Sequence, residues 1–298
     1  MKQIIFSTVA LLACGLAAPA AEVWAPGVSR EGGWYDYQKK GIDSGPEADT
    51  GLCWAMTASN VIAWWQKHNQ SSITSSVPQG KEVPDYFRKV FDNGGGKAGY
   101  AYKWWVTGEW EGPDSDGWAY FDKDEANANP ALTEGGFLKN AYDTTAYPID
   151  IISWNEVASG TYNPYWYSET IVKALQNGYA LTISTEMGSN APTGHAYTLW
   201  GVTYDITAKG YELTSLWLTN SDDINGDLGL YQVEAKCMYD AGKNGGTGSV
   251  IFYEPNATIG RTLMEVSGLR TAPRSVPEPA SATLSLLALA GLACRRRR

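Results

Sequence analysis

The fold is decided by the stretch Asp49-Thr50-Gly51-Leu52-Cys53-Trp54-Ala55-Met56-Thr57-Ala58-Ser59-Asn60-Val61-Ile62-Ala63-Trp64-Trp65, which predicts a loop that turns into a buried helix. Apolar or small residues recur on one helix face, at Trp54, Ala58, Val61, Ile62 and Trp65. Asp49 and Thr50 are favourable N-cap types, and Gly51 permits a sharp turn. Cys53 is then expected in the first turn, where unpaired N–H groups and the helix dipole favour a thiolate.

Cys53 has two interpretations: a nucleophile, or a small core residue, since free cysteines are often buried and inert. The chain has four cysteines, but Cys14 lies in an N-terminal leader and Cys294 in a C-terminal tail. The remaining pair, Cys53 and Cys237, fits one disulfide in an oxidising compartment, or one catalytic thiol and one buried bystander. The sequence distinguishes these possibilities only by whether a histidine is available to Cys53.

The chain has only two histidines. His68 follows Cys53 on the same predicted helix, and at roughly 22 Å along the axis it is too distant to touch the thiol. We expect His68 to be solvated near the helix end. His195 is therefore the only imidazole that is available to Cys53.

The region around His195 predicts a helix and three strands. The helix covers 168–176 and ends at Asn177-Gly178. The strands cover 179–184, 195–202 and 211–219, with a polar loop over 187–194 and His195 at the mouth of the second strand. In an antiparallel pair, His195 meets an amide or carboxylate at the end of the third strand, which would hold the imidazole in one orientation.

The two ends of the chain predict export. Residues 1–20 have one lysine, an apolar run and small residues before a cleavage site, as in a secretory signal peptide. In the tail, 271–298, Pro277-Glu278-Pro279 precedes a short apolar segment and four arginines. This order resembles the PEP-CTERM sorting signal of Gram-negative bacteria. The resemblance implies an exosortase-type processing enzyme, transient membrane contact through a short transmembrane segment, and a surface or extracellular location. A plain membrane anchor is the alternative.

Residues 21–270 are long enough for one domain with a full core. Without its ends the chain is more acidic than its overall net charge of −9, which argues against a nucleic-acid partner. The part from 70 to 165 cannot be placed. Its aromatic residues either contact substrate or fill a core, and they are Tyr100, Tyr102, Trp104, Trp105, Trp110, Trp118 and Tyr120. The segment 223–227 is read as a turn, because it departs from a calcium loop, and we expect no metal or cofactor.

The turn at Cys53 resembles the active-site turn of papain-like proteases, and the closer resemblance is to the streptococcal immunoglobulin-degrading cysteine proteases, the IdeS/Mac family. The shared residues fall in three segments: Trp34, Tyr35, Asp36 and Lys39; Leu52, Cys53, Ala55, Thr57, Ala58, Asn60, Trp64 and Trp65; His195, Leu199, Trp200 and Gly201. The resemblance covers about 32–66 and 168–235. It implies an α+β papain-like fold, in which an N-terminal helix carrying the cysteine packs against an antiparallel sheet carrying the histidine.

By that resemblance Cys53 is the nucleophile and His195 the general base. Lys39 is implied as an oxyanion contributor beside the backbone N–H of Cys53, although a longer following loop leaves Lys40 as an alternative. The family has an aspartate where this chain has Asn220. Papain-like proteases use an asparagine to orient the histidine, so Asn220 is compatible with this role. Asp222 is the alternative residue for orienting His195.

The sequence therefore predicts a secreted or surface-sorted cysteine endopeptidase that uses a Cys-His-Asn thiol mechanism on a protein substrate. A deamidase or transglutaminase on the same scaffold uses the same groups. An alternative of another class is a non-enzymatic surface adhesin, with a structural disulfide between Cys53 and Cys237. Nothing in the sequence identifies the substrate.

Overall fold

The computed structural model describes residues 20–44, 48–91, 93–108, 135–141, 151–155, 163–187, 191–222, 229–240, 247–255 and 257–271. The predicted leader, apart from Ala20, lies outside these ranges. So do the predicted turn at 223–227, the tail from residue 272 onward, and three of the aromatic residues, Trp110, Trp118 and Tyr120. Within the described ranges, no helix has both the length and the apolar character needed to cross a membrane.

The described chain contains eight strands and four α-helices. The helices are α1 (Cys53–Asn69), α2 (Glu82–Val90), α3 (Ala98–Thr107) and α4 (Pro164–Gln176), and a 3-10 turn at Gln70–Ser72 follows α1. The strands are β1 (Ala21–Trp24), β2 (Ile151–Asn155), β3 (Tyr179–Met187), β4 (Ala191–Thr207), β5 (Gly210–Asn220), β6 (Tyr231–Asp240), β7 (Thr247–Phe252) and β8 (Arg261–Arg270).

Six antiparallel strands close into a barrel. They follow the order β4-β3-β8-β7-β6-β5, and β5 pairs back onto β4. Closure depends on the length of β4, whose 17 residues reach β3, β5 and β1 in succession. Irregularities in the β4–β5 register, between Leu199 and Gly201 and between Thr203 and Tyr204, add the local twist that bends the strand.

The fold class predicted from the sequence is corrected by this closure. The strands do not form the sheet of a papain-like α+β arrangement; they form a closed β-barrel with helices packed on it. The sequence pattern predicted β3, β4 and β5, each shorter than observed, but carried no information about the other strands or about whether the outer strands pair. Helix α1 contacts β4, β3 and β8 on the barrel and also α2 and α3, while α4 contacts β1 and β3 to β7.

Helix α1 is buried on nearly every side, and not only on the predicted apolar face. Cys53, Lys67 and His68 are its only residues that are not buried. The aromatic residues Tyr102, Trp104 and Trp105 of α3 have no exposed surface. Trp104 and Trp105 pack against Phe87, and the Tyr102 hydroxyl donates to Thr182 Oγ1. For these three residues, the expectation of a substrate-contacting role is wrong and the core alternative is correct.

The predicted elements around His195 differ from the observed ones mainly in length. Helix α4 begins at Pro164, earlier than predicted, because the side chain of Asn163 accepts the N–H groups of residues 165 and 166. It ends at Gln176 as predicted, with Asn177 as its C-cap and Gly178 following at φ 91°. At Met187 and over 191–194 the predicted loop is wrong, since β3 continues to Met187 and pairs with Ala191 of β4; the positions 188–190 lie outside the described residues.

Candidate active site

Cys53 is the first residue of α1 and is partly exposed. The residue before the helix is Leu52, and no side chain caps this end. The predicted N-cap role of Asp49 and Thr50 is therefore wrong. The first N–H groups of an α-helix have no acceptor within the helix, so the thiol lies beside unpaired donors at the positive end of the dipole.

Asp49 instead holds the loop that precedes the turn. Its fully buried carboxylate accepts the backbone N–H groups of Lys40 at 2.6 Å and Gly41 at 2.9 Å, and Arg88 Nε at 3.0 Å. Burial alone would raise the pKa of Asp49, but these donors and the guanidinium charge outweigh burial and leave that pKa below its ordinary value. The loop beside Cys53 is thus tied to helix α2 through a buried ion pair.

Asn93 braces the turn itself. Its side-chain oxygen accepts the N–H of Gly51 at 2.5 Å, and its side-chain nitrogen donates to Thr50 Oγ1 at 2.8 Å. A Cβ atom on Gly51 would lie 2.8 Å from the carbonyl oxygen of Asn93, so the close approach needs glycine. This contact explains the glycine two residues before Cys53 better than turn propensity does.

His195 and Asn220 meet at the end of the β4–β5 ladder. Asn220 pairs with Tyr197 in register, and His195 lies two residues beyond on the same face of β4. His195 Nε2 is 2.7 Å from Asn220 Oδ1, and the same oxygen accepts the backbone N–H of Asp222 at 3.1 Å. A backbone N–H only donates, so it identifies this atom as the amide oxygen. Nε2 of His195 therefore carries a proton, and Nδ1 is the nitrogen left to face the thiol.

The thiol and the imidazole shift each other's pKa. Burial alone would raise the pKa of Cys53, yet the hydrogen bond and charge of His195, the Lys39 ammonium and the N–H of Ala196 leave it below its ordinary value. Burial alone would lower the pKa of His195, yet Cys53, Asp222 and Asn220 together raise it. Both directions favour a thiolate–imidazolium pair.

Lys39 lies at the site and Lys40 does not. Lys39 Nζ donates to the carbonyl oxygen of Thr50 at 2.7 Å and lies 2.5 Å from Asp222 Oδ1, with its side chain only 6 % exposed. Lys40 is exposed. Of the two lysines that the sequence left open, Lys39 is therefore the one that lies beside the turn at Cys53.

Asp222 faces the other ring nitrogen. Its Oδ2 is 3.6 Å from His195 Nδ1, whereas Asn220 Oδ1 lies against Nε2. Asn220, and not Asp222, holds the Nε2 position. Asp222 therefore contributes negative charge that balances Lys39 and the imidazolium, while Asn220 fixes the orientation of the ring.

Asn60 connects the parts of the site. Its side-chain oxygen accepts the N–H of Tyr37 at 2.7 Å, and its side-chain nitrogen donates to Thr198 Oγ1 at 2.9 Å. Gln38 Nε2 donates to the carbonyl oxygen of Asn220 at 2.9 Å. The segment that carries Lys39 is therefore bound to α1, to β4 and to the end of β5.

The other histidine and cysteine lie elsewhere. His68 is half-buried against the Trp64 ring, and its Nδ1 is 2.8 Å from the carbonyl oxygen of Trp64, so the prediction of a solvated residue is wrong. Cys53 and Cys237 are both free thiols, so the disulfide proposed as an alternative is absent. Cys237 lies on β6, 3.2 Å from Ser168 Oγ, and burial raises its pKa.

Sequence reasoning missed two charged residues behind Asn220. Asn220 Nδ2 donates to Glu254 Oε1 at 3.2 Å, and Arg261 Nε donates to Glu254 Oε2 at 2.9 Å. Glu254 follows β7 and Arg261 begins β8, and neither belongs to a motif near Cys53 or His195. Among the described residues, no group of three or more His, Cys, Asp or Glu side chains is placed to hold a metal ion.

Comparison with known families corrects the assignment made from the sequence. The family whose model matches is Mac 1, and the match covers residues 21–92, about a quarter of the chain. It includes Cys53 but not His195. This finding replaces the assignment to the IdeS/Mac protease family with a similarity to Mac 1 over residues 21–92 alone, and it gives no support to the PEP-CTERM resemblance of the tail. No curated protein matches the chain.

Proposed function

We propose that this protein is a cysteine hydrolase that cleaves peptide bonds with Cys53 as nucleophile, His195 as acid and base, and Asn220 as the group that orients His195. The single observation that carries the proposal is the arrangement around the ring of His195. One nitrogen bonds Asn220 at 2.7 Å, and the other is left to a thiol whose pKa is depressed. A structural histidine in a core does not need a lowered thiol pKa beside it.

The chemistry follows from the protonation states. The Cys53 thiolate attacks the scissile carbonyl carbon, and the carbonyl electrons move to its oxygen. His195 then gives its Nδ1 proton to the leaving amine as the C–N bond breaks, which leaves a thioester on Cys53. Water, deprotonated by the neutral His195, attacks the thioester, and collapse of the second tetrahedral intermediate releases the acid and restores the thiolate–imidazolium pair.

Two donors suit the oxyanion that forms in both steps. The backbone N–H of Cys53 is at the start of α1, and the ammonium of Lys39 is held beside the same turn by the carbonyl oxygen of Thr50. A full positive charge in a largely buried position stabilises developing negative charge more than a solvated one does. Asp222 balances that charge in the resting site.

Export belongs to the same proposal, because residues 1–20 have the pattern of a signal peptide. An enzyme with a free reactive thiol outside the cytoplasm resists unwanted disulfide formation when its second cysteine ionises poorly. Cys237 meets this condition, since it is half-buried on β6 against Ser168 and Pro164, and burial raises its pKa.

The test is digestion of a proteome-derived peptide library, read by mass spectrometry for new peptide termini, with Cys53→Ala as the matched control. New termini that appear with the native protein and vanish with the variant support the peptidase. A mass increase of about 1 Da at glutamine without cleavage would indicate deamidation by the same groups, and crosslinks to amines would indicate transamidation. No change in any peptide, together with no fast-reacting thiol, would overturn the enzymatic proposal.

A further inference from the structure

A carboxylate lies directly behind the residue that orients His195. Glu254 Oε1 accepts from Asn220 Nδ2 at 3.2 Å, and its other oxygen accepts from Arg261 Nε at 2.9 Å. Arg261 is nearly buried, and its guanidinium carbon is 5.4 Å from the ring centre of Tyr197, which packs edge-on against His195 at 4.7 Å. Glu254 is thus held between a buried cation and the amide of Asn220.

The orientation of an asparagine side chain is decided by what each end contacts. The oxygen of Asn220 receives the N–H of Asp222, and the nitrogen gives a proton to Glu254, which has only acceptor atoms when ionised. A flipped amide would place N–H against N–H at one end and oxygen against a carboxylate at the other. Removing Glu254 would remove one of the two contacts that prevent the flip.

A flipped amide would change the protonation of His195. An amide nitrogen facing Nε2 would favour the tautomer with its proton on Nδ1, and it would disfavour the imidazolium. The hydrogen bond that His195 Nε2 donates to Asn220 contributes to the raised pKa of His195, and the imidazolium charge contributes to the lowered pKa of Cys53. The correct amide orientation is therefore linked to the thiolate through the ring.

We propose that Glu254, held by Arg261, is a positioning residue that fixes the amide of Asn220 so that its oxygen faces Nε2 of His195. The proposal rests on the function proposed above, because it assigns Glu254 a role in the same site. Its test needs no substrate and does not depend on that function. It also explains how this site uses a neutral amide next to His195. The negative charge is on Glu254, on the far side of Asn220 from the imidazole, and Arg261 balances it.

The same geometry gives a reason why aspartate does not suit position 220. A carboxylate there would face the carboxylate of Glu254 at hydrogen-bond distance, and two such groups cannot both stay ionised without a large penalty. Asn220→Asp is therefore expected to behave poorly by itself. Combined with Glu254→Gln, whose amide nitrogen donates to the new carboxylate, it is expected to recover.

The experiment measures the site without a substrate. In a Cys237→Ala background, the rate at which iodoacetamide alkylates Cys53 is followed across pH, and the ring protons of the histidines are titrated by NMR. The chain has only two histidines, so His68 serves as the internal control. The groups that shape the titration of His195 come from several segments, and they are Cys53, Lys39, Asp222, Tyr197, Glu254 and Arg261.

Glu254→Ala is expected to lower the pKa of His195 by about one unit and to slow alkylation near neutral pH about tenfold. Glu254→Gln keeps an acceptor for Asn220 but loses the charge, and it is expected to stay within about threefold of the native rate. His68 should titrate identically in all variants. The second expected result is that Asn220→Asp slows alkylation of Cys53 and that the double variant Asn220→Asp with Glu254→Gln restores it. This result does not require Glu254→Ala to fold.

Two results would overturn the proposal: native alkylation and titration in Glu254→Ala, or an equal loss in Glu254→Ala and Glu254→Gln, which would indicate a charge effect without positioning. If the thiol and the histidine respond as expected but the protein changes no peptide, Glu254 retains its positioning role and the hydrolase proposal fails. The two proposals are therefore tested separately.

Discussion

The two thiols of the described chain differ only in their surroundings, yet their pKa values move in opposite directions. Cys53 begins a helix, is partly exposed, and has His195 and Lys39 nearby, and its pKa lies below the ordinary value. Cys237 lies within a strand against the hydroxyl of Ser168, and burial raises its pKa. Burial disfavours the thiolate at both sites, so the difference comes from the charges that oppose it.

This comparison teaches that a helix start alone is not the decisive feature. The dipole at the start of α1 favours an anion by a modest amount, whereas an adjacent imidazolium and ammonium change the balance between thiol and thiolate more strongly. The predictions below remove these contributions one at a time. They run from complete loss to a change of a few fold.

The largest expected effect is the loss of the nucleophile. Cys53→Ala should abolish the proposed peptide hydrolysis while leaving the thermal unfolding midpoint near the native value, because the site is partly exposed. Cys237→Ala should keep activity within a few fold. The measurements are peptide cleavage and circular dichroism melting, and equal loss of activity in both variants would contradict the contrast between the two thiols.

The next effect concerns the ammonium beside the turn. Lys39→Ala should reduce kcat/KM by about a hundredfold to a thousandfold, as removal of an oxyanion donor does in other hydrolases. Lys40→Ala is the matched control, since Lys40 is exposed and one residue away; it should change kcat/KM by less than about twofold. A loss in Lys40→Ala as large as in Lys39→Ala would show that the loop, and not the ammonium, matters.

The third effect is a difference in pH dependence. Because the folded pKa of Cys53 is lowered, its thiolate persists as the pH falls below the ordinary thiol range, whereas Cys237 needs a pH above that range to ionise. Alkylation at pH 7 should therefore label Cys53 at least about tenfold faster than Cys237, and His195→Ala should remove most of that advantage. Peptide mapping after timed labelling measures both sites in one sample, and similar rates at the two sites would refute the assignment of the reactive thiol.

The smallest expected effect is on the reactivity of Cys237. The hydrogen bond with Ser168 Oγ is the larger of two contacts, the other with the backbone of Leu213, that lower the pKa of Cys237 against burial. Ser168→Ala should therefore slow the already slow labelling of Cys237 by about twofold to fivefold, without changing the rate at Cys53. A changed rate at Cys53 in this variant would mean that helix α4 and the start of α1 are coupled.

Much of the site was predictable because it depends on local patterns and on one ladder. A helix beginning at Cys53 follows from the apolar spacing after Gly51, and the meeting of His195 with Asn220 follows from two strands in antiparallel register. Helix α4 could be placed by its stop at Asn177-Gly178, although its start was missed because Asn163 lies before the apolar pattern.

The rest of the fold and site depends on long-range contacts that produce no periodic pattern in the sequence. Closure of the barrel requires β5 to return to β4, and the register irregularities that permit it are not visible in the alternation of residues. Asp49 is a residue type that often caps helices, but its carboxylate instead accepts three backbone N–H groups of the preceding loop and the side chain of Arg88. Glu254 lies 34 residues after Asn220, where only the folded barrel brings the two together.

Asn60 has a consequence for biosynthesis. It joins Tyr37 to Thr198, which lie 23 and 138 residues away along the chain, and the rest of the proposed site comes from positions up to Asp222, with Glu254 and Arg261 behind it. A growing chain that has already released Cys53 from the ribosome still lacks His195, Asn220 and the strand that holds them. The proposed nucleophile is therefore synthesised early, but the residues that would activate it follow only when most of the barrel has been made, so the proposed activity is expected to arise late in synthesis.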